Sequence, residues 1–444
     1  MSRESVVAVG AGPANLSLAA LAYNQRELAV TVFERALDPA WHPGLMVDGA
    51  LMQTSFLKDL VSLVDPTNPY SFLAYLKDHR RLYRAVVCGL DRITRQEFQD
   101  YLKWAAMRLP NIRFGTAINE IDLDRDSFCV RAKEETVRTK TVVIGVGREP
   151  FVPDFARLIR GKNVFHSGAF LSEKRNFSGS SVAVVGGGQS SAEVVSALLR
   201  GLHGEPASIT WVSRRPNLFA LEDSPFVNEW FFPQHSMWFQ RCSREARERF
   251  LMGQELAGDG VSASTLREIY QLLYEREVAH KARPCACEIR IDSSVEAMSL
   301  DGPGYLLTVR DRVNGDVMHA YADVVILCTG YRSSLPRLLE PLRSRLSFVQ
   351  NTLGDTELEI RDDFSVVLDG PPGCRLYLQN GARSQYGVAD PYLSLLSWRS
   401  ARILNAILRM ERFDCGVMSG AITWSGETLA ASRKPSQEMT EKIS

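Results

Sequence analysis

Two glycine-rich turns are the residues of this sequence whose types and spacing could do chemistry. One runs from Gly10 to Asn15 and the other from Gly186 to Ser191, and each lies between an apolar run and a helical pattern. Glycine lets the backbone approach phosphate oxygens, and the N–H groups that begin the following helix attract negative charge. Since one such turn holds one pyrophosphate, the chain is predicted to bind two dinucleotides, which favours a redox enzyme.

The first turn lies in a pattern typical of a strand-helix-strand unit. Residues 5–9 form a short apolar strand, residues 16–23 a helix with small side chains, and residues 29–33 a second strand that ends at Glu34. A carboxylate at that point can accept hydrogen bonds from an adenosine ribose. The alternative is a solvent-exposed glutamate at a strand end.

The second turn has the same surroundings but a different ending. A strand at 182–185, a helix at 190–199 and a strand at 208–212 are followed by Ser213, Arg214 and Arg215. A hydroxyl and two guanidinium groups bind a 2′-phosphate by charge-assisted hydrogen bonds, whereas an acid would repel it. The second dinucleotide is therefore predicted to be NADPH rather than NADH, and the alternative is a solvent-exposed basic strand end.

The strand order predicts an α/β protein with two Rossmann-like dinucleotide-binding domains, the second inserted in the first. Strands at 141–144 and 324–327 lead into small residues and mark where the two domains rejoin. Residues 218–283 are rich in aromatic, Glu and Arg side chains, and we expect a small helical substrate subdomain there. The expected segments are the FAD-binding domain at 1–168 and 321–425 with a C-terminal cap, the NADPH-binding domain at 169–320, and a flexible tail at 426–444.

Composition narrows the classes of protein further. The chain has 444 residues, 45% of them apolar, and its 52 Lys and Arg balance 52 Asp and Glu, so no overall charge favours nucleic acid or an anionic membrane. We find no apolar run of membrane-spanning length, and we expect a cytoplasmic protein. Among eight cysteines the close pair Cys285 and Cys287 has neither zinc-site nor redox spacing. We therefore expect reduced thiols and no metal.

Several longer segments have sequences that are specific to one family. They are Trp41 to Gly44, Met52 to Val61, Asp65 to Phe72, Gly186 to Ser190, Ser224 to Glu229, Ala389 to Ser394 and Ser397 to Arg402. With them the chain resembles, over nearly its whole length, the flavin-dependent N-hydroxylating monooxygenases of siderophore biosynthesis. It is most similar to the lysine N6-hydroxylase branch, in which related enzymes act on cadaverine or putrescine.

The resemblance implies an enzyme that uses FAD, NADPH and O₂ to hydroxylate the terminal amine of a small molecule through a C4a-hydroperoxyflavin. The amine has to react uncharged, and an apolar pocket lowers its pKa from a reference value of about 10.4. Aromatic residues at 230–239 are candidates for excluding water. The flavin carries the chemistry, so no catalytic side chain is nominated, and relatives form dimers or tetramers, which implies a homo-oligomer.

The resemblance also implies roles for individual residues. The FAD site would consist of Gly10, Gly12, Pro13, Asn15, Glu34, Trp41, His42 and Gln53. Tyr331, in the stretch of small residues after the strand at 324–327, is expected beside a cofactor. The NADPH site would consist of Gly186, Gly188, Gln189, Ser190, Ser213, Arg214 and Arg215. The substrate would meet Lys58 with its carboxylate, Asn228 and Ser394.

Alternatives remain open for the substrate. The sequence from Ser224 to Asn228 resembles that of ornithine enzymes, whereas the sequence from Gly258 to Ser262 resembles that of lysine and diamine enzymes. Without the family context, Lys58 would be half of a solvated pair with Asp59. L-ornithine N5-hydroxylation is therefore one alternative to the lysine or diamine reaction, and a non-catalytic flavin-binding scaffold is another.

Overall fold

The structure is a computed structural model of the chain, and it describes residues 3–159, 161–279, 286–351, 356–416 and 420–424. Its strands are β1 (Glu4–Val9), β2 (Leu28–Phe33), β3 (Ile112–Arg113), β4 (Ile118–Asp124), β5 (Ser127–Ala132), β6 (Thr136–Thr139), β7 (Thr141–Ile144), β8 (Glu149–Pro150), β9 (Val164–His166), β10 (Ser181–Val185), β11 (Ser208–Val212), β12 (Ala286–Arg290), β13 (Ser293–Asp301), β14 (Gly304–Asp311), β15 (Val317–Ala322), β16 (Val324–Leu327), β17 (Tyr331–Arg332), β18 (Phe348–Gln350), β19 (Thr356–Leu358) and β20 (Arg375–Leu378).

The helices stand between and around these strands. They are α1 (Pro13–Ala22), α2 (Phe72–Asp78), α3 (Leu82–Val87), α4 (Arg95–Arg108), α5 (Asp154–Arg157), α6 (Gln189–Leu199), α7 (Pro225–Asn228), α8 (Pro233–Arg241), α9 (Arg244–Gly253), α10 (Glu255–Asp259), α11 (Ala263–Ala279), α12 (Arg383–Tyr386) and α13 (Leu396–Leu408). Short 3₁₀ helices lie at Pro43–Leu45, Ser167–Ala169, Glu229–Phe231, Arg337–Arg345 and Leu393–Leu395.

The first sheet is parallel and orders its strands β20-β7-β1-β2-β3. Val6–Val9 of β1 and all of β7 are buried, as apolar strands are when helices cover both faces of a sheet. Helix α1 begins at Pro13, three residues earlier than expected, because proline suits the first helical position, where no N–H is needed. This sheet and its helices form one hydrophobic core.

The second sheet is also parallel and orders its strands β12-β11-β10-β16-β9. The expected segment boundaries do not coincide with it. Strand β16, which we assigned to the returning first domain, pairs with β10, and β9, which we assigned to the first domain, pairs with β16. Both are short buried apolar strands, and such a strand extends either sheet equally well. The second sheet therefore spans residues 164–327.

Two antiparallel meanders accompany the parallel sheets, β4-β5-β6 beside the first and β13-β14-β15 beside the second. The chain passes between the two parallel sheets at β8 and returns at β17, and these two short strands pair with each other. The insertion of one sheet unit in the other is thus visible in the order of strands.

The stretch at 218–283 is helical where it is described, with α7 to α11 and no strand within its described residues. Residues 280–285 and the predicted tail at 426–444 lie outside the described residues. Among the residues that are described, none of the helices is long and apolar enough to cross a membrane.

Candidate functional site

The first glycine turn connects β1 to α1 at the carboxyl end of the first sheet. Gly10 has a φ of 92°, and a Cβ there would lie 2.6 Å from the carbonyl oxygen of Gly145, so the protein itself requires this glycine. A Cβ at Gly12 would meet no protein atom closer than 3.9 Å. Gly12 is the N-cap of α1, and no side-chain hydrogen bond caps that end. A phosphate fits this position, because it would satisfy the N–H groups that a Ser or Asp normally caps.

The side chain of Asn15, which we expected at the FAD pyrophosphate, is bonded inside the protein instead. This side chain is fully buried, and its Nδ2 donates to the carbonyl oxygens of Val9 and Gly10 at 3.0 and 2.9 Å. Its Oδ1 accepts a hydrogen bond of 2.9 Å from Nε2 of Gln379, which directly follows β20. The amide therefore fixes the glycine turn from the inside, and the side chain is not available to a phosphate. Gln379 was missed, since the contact joins residues from opposite ends of the sequence.

Glu34 lies at the carboxyl end of β2, beside the same turn. Its Oε2 accepts a hydrogen bond of 2.7 Å from the backbone N–H of Ala11, and its Oε1 accepts one of 2.8 Å from that of Ala36. These two bonds hold the carboxylate at the edge of the turn, where a nucleotide ribose would lie.

A cluster of aromatic and imidazole rings includes three of the predicted cofactor residues. The rings of Trp41 and His42 lie 5.0 Å apart, and His42 lies 6.1 Å from Tyr331, which in turn lies 5.0 Å from His166. His166 is satisfied by backbone groups at both ring nitrogens. The predicted flavin residues Trp41 and His42 and the predicted cofactor residue Tyr331 are thus brought together, although they come from segments about 290 residues apart.

Many protein atoms lie around His42, although its surface stays open to solvent. Loss of solvation, together with the positive charges of Arg95 and Arg148, lowers the pKa of His42 to about 4. The ring is therefore neutral at pH 7 and can both donate and accept a hydrogen bond.

Gln53 bridges the two sheet units. Its Nε2 donates to Oε1 of Gln189 and to Oγ of Ser262, both at 3.2 Å, and Nε2 of Gln189 donates to Oε1 of Glu193 at 2.7 Å. Glu193 is 5% exposed and forms an ion pair of 2.7 Å with Arg95 of the first unit. Gln53 therefore contacts the residue that follows the glycines of the second turn, and the predicted residues Gln53 and Gln189 belong to one hydrogen-bond network.

The second glycine turn repeats the geometry of the first. Gly186 has a φ of 140°, and a Cβ there would lie 2.1 Å from the carbonyl oxygen of Cys328. A Cβ at Gly188 would meet only the carbonyl oxygen of Asp259, at 3.8 Å, and Gly188 is the N-cap of α6 without a side-chain cap. Ser190 follows in the first turn of α6. The second turn is therefore also open to a phosphate.

The two arginines that follow β11 face in different directions. Ser213 is buried, and its Oγ accepts a hydrogen bond from the N–H of Arg215. Arg215 turns inward: its Nη1 donates to the carbonyl oxygens of Asp259 at 2.8 Å and Gly187 at 3.4 Å, and its Nη2 pairs with Glu255 at 2.8 Å. Arg215 thus braces the glycine turn against α10.

Arg214 has the opposite orientation. Its side chain is exposed, and its carbonyl oxygen accepts a hydrogen bond of 2.7 Å from Arg312. Of the two predicted phosphate ligands, Arg214 is the one whose guanidinium has no hydrogen-bond or ion-pair partner within the described part of the chain.

On the substrate side, Lys58 is half-buried, with its Nζ 5.6 Å from the ring centroid of Phe231. Loss of solvation lowers the pKa of Lys58. The alternative pair with Asp59 is wrong: Asp59 is 2% exposed and points inward, where its oxygens accept N–H bonds from Val61, Ser62 and Phe72. No carboxylate of the described residues forms an ion pair with Lys58.

Asn228 ends helix α7, and its Nδ2 donates to the carbonyl oxygen of Asp223 at 2.8 Å. Phe231, one turn further on, lies between Lys58 and Tyr392, since the rings of Phe231 and Tyr392 are 5.9 Å apart. This contact joins the segments that carry Lys58, Asn228 and Ser394.

Ser394 is buried in a 3₁₀ helix of the C-terminal segment, close in sequence to the residues that fasten this segment. The hydroxyl of Tyr392 donates to the carbonyl oxygen of Gly258 at 2.9 Å, and Arg383 pairs with the carboxylate of Asp259 at 3.2 Å. The C-terminal segment is thereby fastened to α10, whose backbone also binds Arg215. Sequence reasoning did not assign Phe231, Arg383 or Asp259 individually.

Comparison with known proteins gives a consistent family. The model of the family described as L-lysine 6-monooxygenase/L-ornithine 5-monooxygenase matches residues 4–333. The chain is 37% identical to an L-lysine N6-monooxygenase of Escherichia coli, over 95% of this chain and 98% of that one.

Two solved structures share the fold. An ornithine N-hydroxylase of Kutzneria sp. 744, with reduced FAD, NADP⁺ and L-ornithine, has a TM-score of 0.82 and 29% identity, covering 92% of this chain and 99% of that one. The FAD-bound cadaverine monooxygenase of desferrioxamine biosynthesis from Erwinia amylovora has a TM-score of 0.87 and 23% identity, covering 96% and 100%. The latter likeness concerns the fold alone.

Proposed function

Because the chain belongs to the L-lysine 6-monooxygenase/L-ornithine 5-monooxygenase family, we propose that it N-hydroxylates the terminal primary amine of L-lysine or of an aliphatic diamine, for hydroxamate siderophore biosynthesis. It uses FAD at the first glycine turn, NADPH at the second, and O₂. The observation that carries this proposal is the pair of uncapped helix N-termini at Gly12 and Gly188, each with free space where a phosphate would lie.

The residues of the chain fit both cofactors. Backbone N–H groups at the starts of α1 and α6 would hold the two pyrophosphates, Glu34 would bind the adenosine ribose of FAD, and Trp41 with Tyr331 would line the flavin ring system. When bound, the cofactors supply the reducing equivalents and the activated oxygen. The protein's contribution is to bind, to orient and to exclude water.

We propose that the substrate carries a carboxylate, which favours L-lysine over a diamine. Lys58 is a half-buried cation beside the ring of Phe231, and it lacks a carboxylate partner among the described residues. A cation in such a place is costly unless an anion joins it. The carboxylate of an amino acid would supply that anion, and its terminal amine would then point away from Lys58 toward the flavin.

The substrate assignment is tested with Lys58→Met, which keeps the length of the side chain and removes its charge. We expect the KM for lysine to rise about 10- to 150-fold, as for the loss of one hydrogen bond to a charged group at about 1.5–3 kcal/mol. The KM for cadaverine should change little. Lys103→Met, at an exposed lysine of α4, is the matched control. An equal change for lysine and cadaverine would show that Lys58 does not bind the carboxylate.

The activity itself is tested by measuring NADPH oxidation and hydroxylamine formation with lysine, ornithine, cadaverine and putrescine in the presence of FAD. We expect hydroxylamine to form in step with NADPH use. Amine-independent peroxide formation would mean an oxidase, and no NADPH oxidation would mean a flavin-binding scaffold. The highest kcat/KM with ornithine would favour the L-ornithine N5-monooxygenase alternative.

We also propose a cytoplasmic homo-oligomer, either a dimer or a tetramer. Helix α3 supports an oligomer, because Tyr83, Val86 and Val87 are 91%, 73% and 87% exposed, and exposed apolar clusters are typical of contact surfaces. Sedimentation velocity of the holoenzyme would measure the assembly. A monomer at micromolar concentration would contradict it.

A further inference from the structure

A short segment near the C-terminus, which we name the strap (Gly420–Trp424), lies against the helical substrate subdomain. The carboxylate of Glu229 accepts hydrogen bonds from two backbone N–H groups of the strap, those of Ala421 at 2.7 Å and Ile422 at 2.9 Å. Glu229 is 8% exposed. No described Lys, Arg or His forms an ion pair with it, so the strap supplies the donors that its buried charge needs.

The two ends of the strap are also fitted to the subdomain. A Cβ on Gly420 would lie 2.4 Å from Oε2 of Glu229, so the approach of the two chains requires glycine there. At the other end the ring of Trp424 lies 4.7 Å from His235 and 5.0 Å from Trp238, both in α8. The strap therefore spans from the 3₁₀ helix at Glu229–Phe231 to α8.

The residue that the strap holds lies between two residues of the substrate site. Asn228 directly precedes Glu229, and Phe231 follows two positions later and contacts Lys58 and Tyr392. If the strap were lost, the carboxylate of Glu229 would lose both N–H donors and the backbone that covers it, and we expect its segment to shift as the carboxylate turns toward water. Such a movement would displace Asn228 and Phe231 together.

We propose that the strap positions Asn228 and Phe231 for the amine substrate. The strap is then a positioning element of the active site. This inference rests on the proposed function, since it assigns the strap to the substrate side of that same site. FAD and NADPH bind at the two glycine turns, whose contacts do not include the strap.

The first test uses the full chain with Gly420→Val, which forces the strap away from Glu229. We expect the KM for the amine to rise about tenfold, the change expected if the displaced Asn228 loses one hydrogen bond to the substrate. The amount of hydroxylamine formed per NADPH oxidised should fall, while the KM for NADPH and the FAD content stay unchanged. Gly253→Ala in α9 is the matched control, since a Cβ there would meet nothing within 4 Å.

The second test compares two shortened chains, one ending at Trp424 and one ending at Gly416. The first keeps the strap and should match the full chain, and the second should match Gly420→Val. Equal amine KM and equal coupling in all of these proteins would overturn the positioning role. If the proposed function itself were wrong, even the full chain would form no hydroxylamine, which separates the two failures.

Discussion

The exposed guanidinium of Arg214 is expected to select NADPH over NADH, and Arg214→Ala tests this directly. One charge-assisted hydrogen bond to the 2′-phosphate is worth about 1.5–3 kcal/mol, which corresponds to a loss of about 10- to 150-fold in kcat/KM for NADPH. The kcat/KM for NADH, which lacks that phosphate, should stay within about twofold, since surface changes away from a contact cost little.

Arg215→Ala is expected to behave differently, because Arg215 is engaged inside the protein. It donates to the carbonyl oxygens of Gly187 and Asp259 and pairs with Glu255, so its loss loosens the turn that both coenzymes use. We expect kcat/KM to fall for NADPH and NADH alike.

The assay is steady-state NADPH and NADH oxidation with saturating amine, for both variants and for the exposed-site control Arg337→Ala. The ratio of the two kcat/KM values isolates the 2′-phosphate. An unchanged ratio in Arg214→Ala would refute the assignment. A changed ratio in Arg215→Ala alone would show that Arg215, rather than Arg214, binds the 2′-phosphate.

Two further predictions concern stability. Arg95→Met leaves the buried carboxylate of Glu193 without its cation and should lower the free energy of unfolding by about 3–5 kcal/mol in urea titrations. Arg92→Met, which breaks the exposed pair with Asp223, should cost less than about 1 kcal/mol, and equal effects would contradict the buried pair. Burial lowers the pKa of His235 to about 4, so between about pH 6.5 and pH 4 the unfolded chain binds more protons there. The histidine's contribution is complete above about pH 6.5 and is lost as the pH falls. His235→Phe should flatten the acid limb of melting temperature against pH, and an unchanged acid limb would contradict this.

Much of the fold could be predicted from local patterns. The expected strands at 141–144, 208–212 and 324–327 have the bounds of β7, β11 and β16, because short buried runs rich in β-branched residues are local signals. The sheet that β16 joins could not be predicted. Its apolar residues satisfy either sheet, and only its pairing with β10, about 140 residues earlier in the sequence, decides between them.

The site shows the same limit. The glycine turns could be predicted, because the backbone at Gly10 and Gly186 has a positive φ and touches another segment. Only glycine fits such positions, so the requirement is visible in the sequence. The inward orientation of Arg215 and the inner role of Asn15 could not, because both depend on partners far away in sequence, Asp259 and Gln379. A sequence motif identifies which residue types occur at a site, whereas hydrogen-bond partners decide which way each side chain faces.

The pairing of β8 with β17 has a practical consequence for engineering. Since Pro150 and Tyr331 are partners on adjacent strands, the chain leaves and re-enters the first sheet unit at points about 5 Å apart. A tight turn from Pro150 to Tyr331 would therefore bypass residues 151–330 without cutting any strand of the first sheet. A coenzyme module of different preference would need ends with the same spacing, and a core surface that covers Leu45 and Val47 of the flavin module.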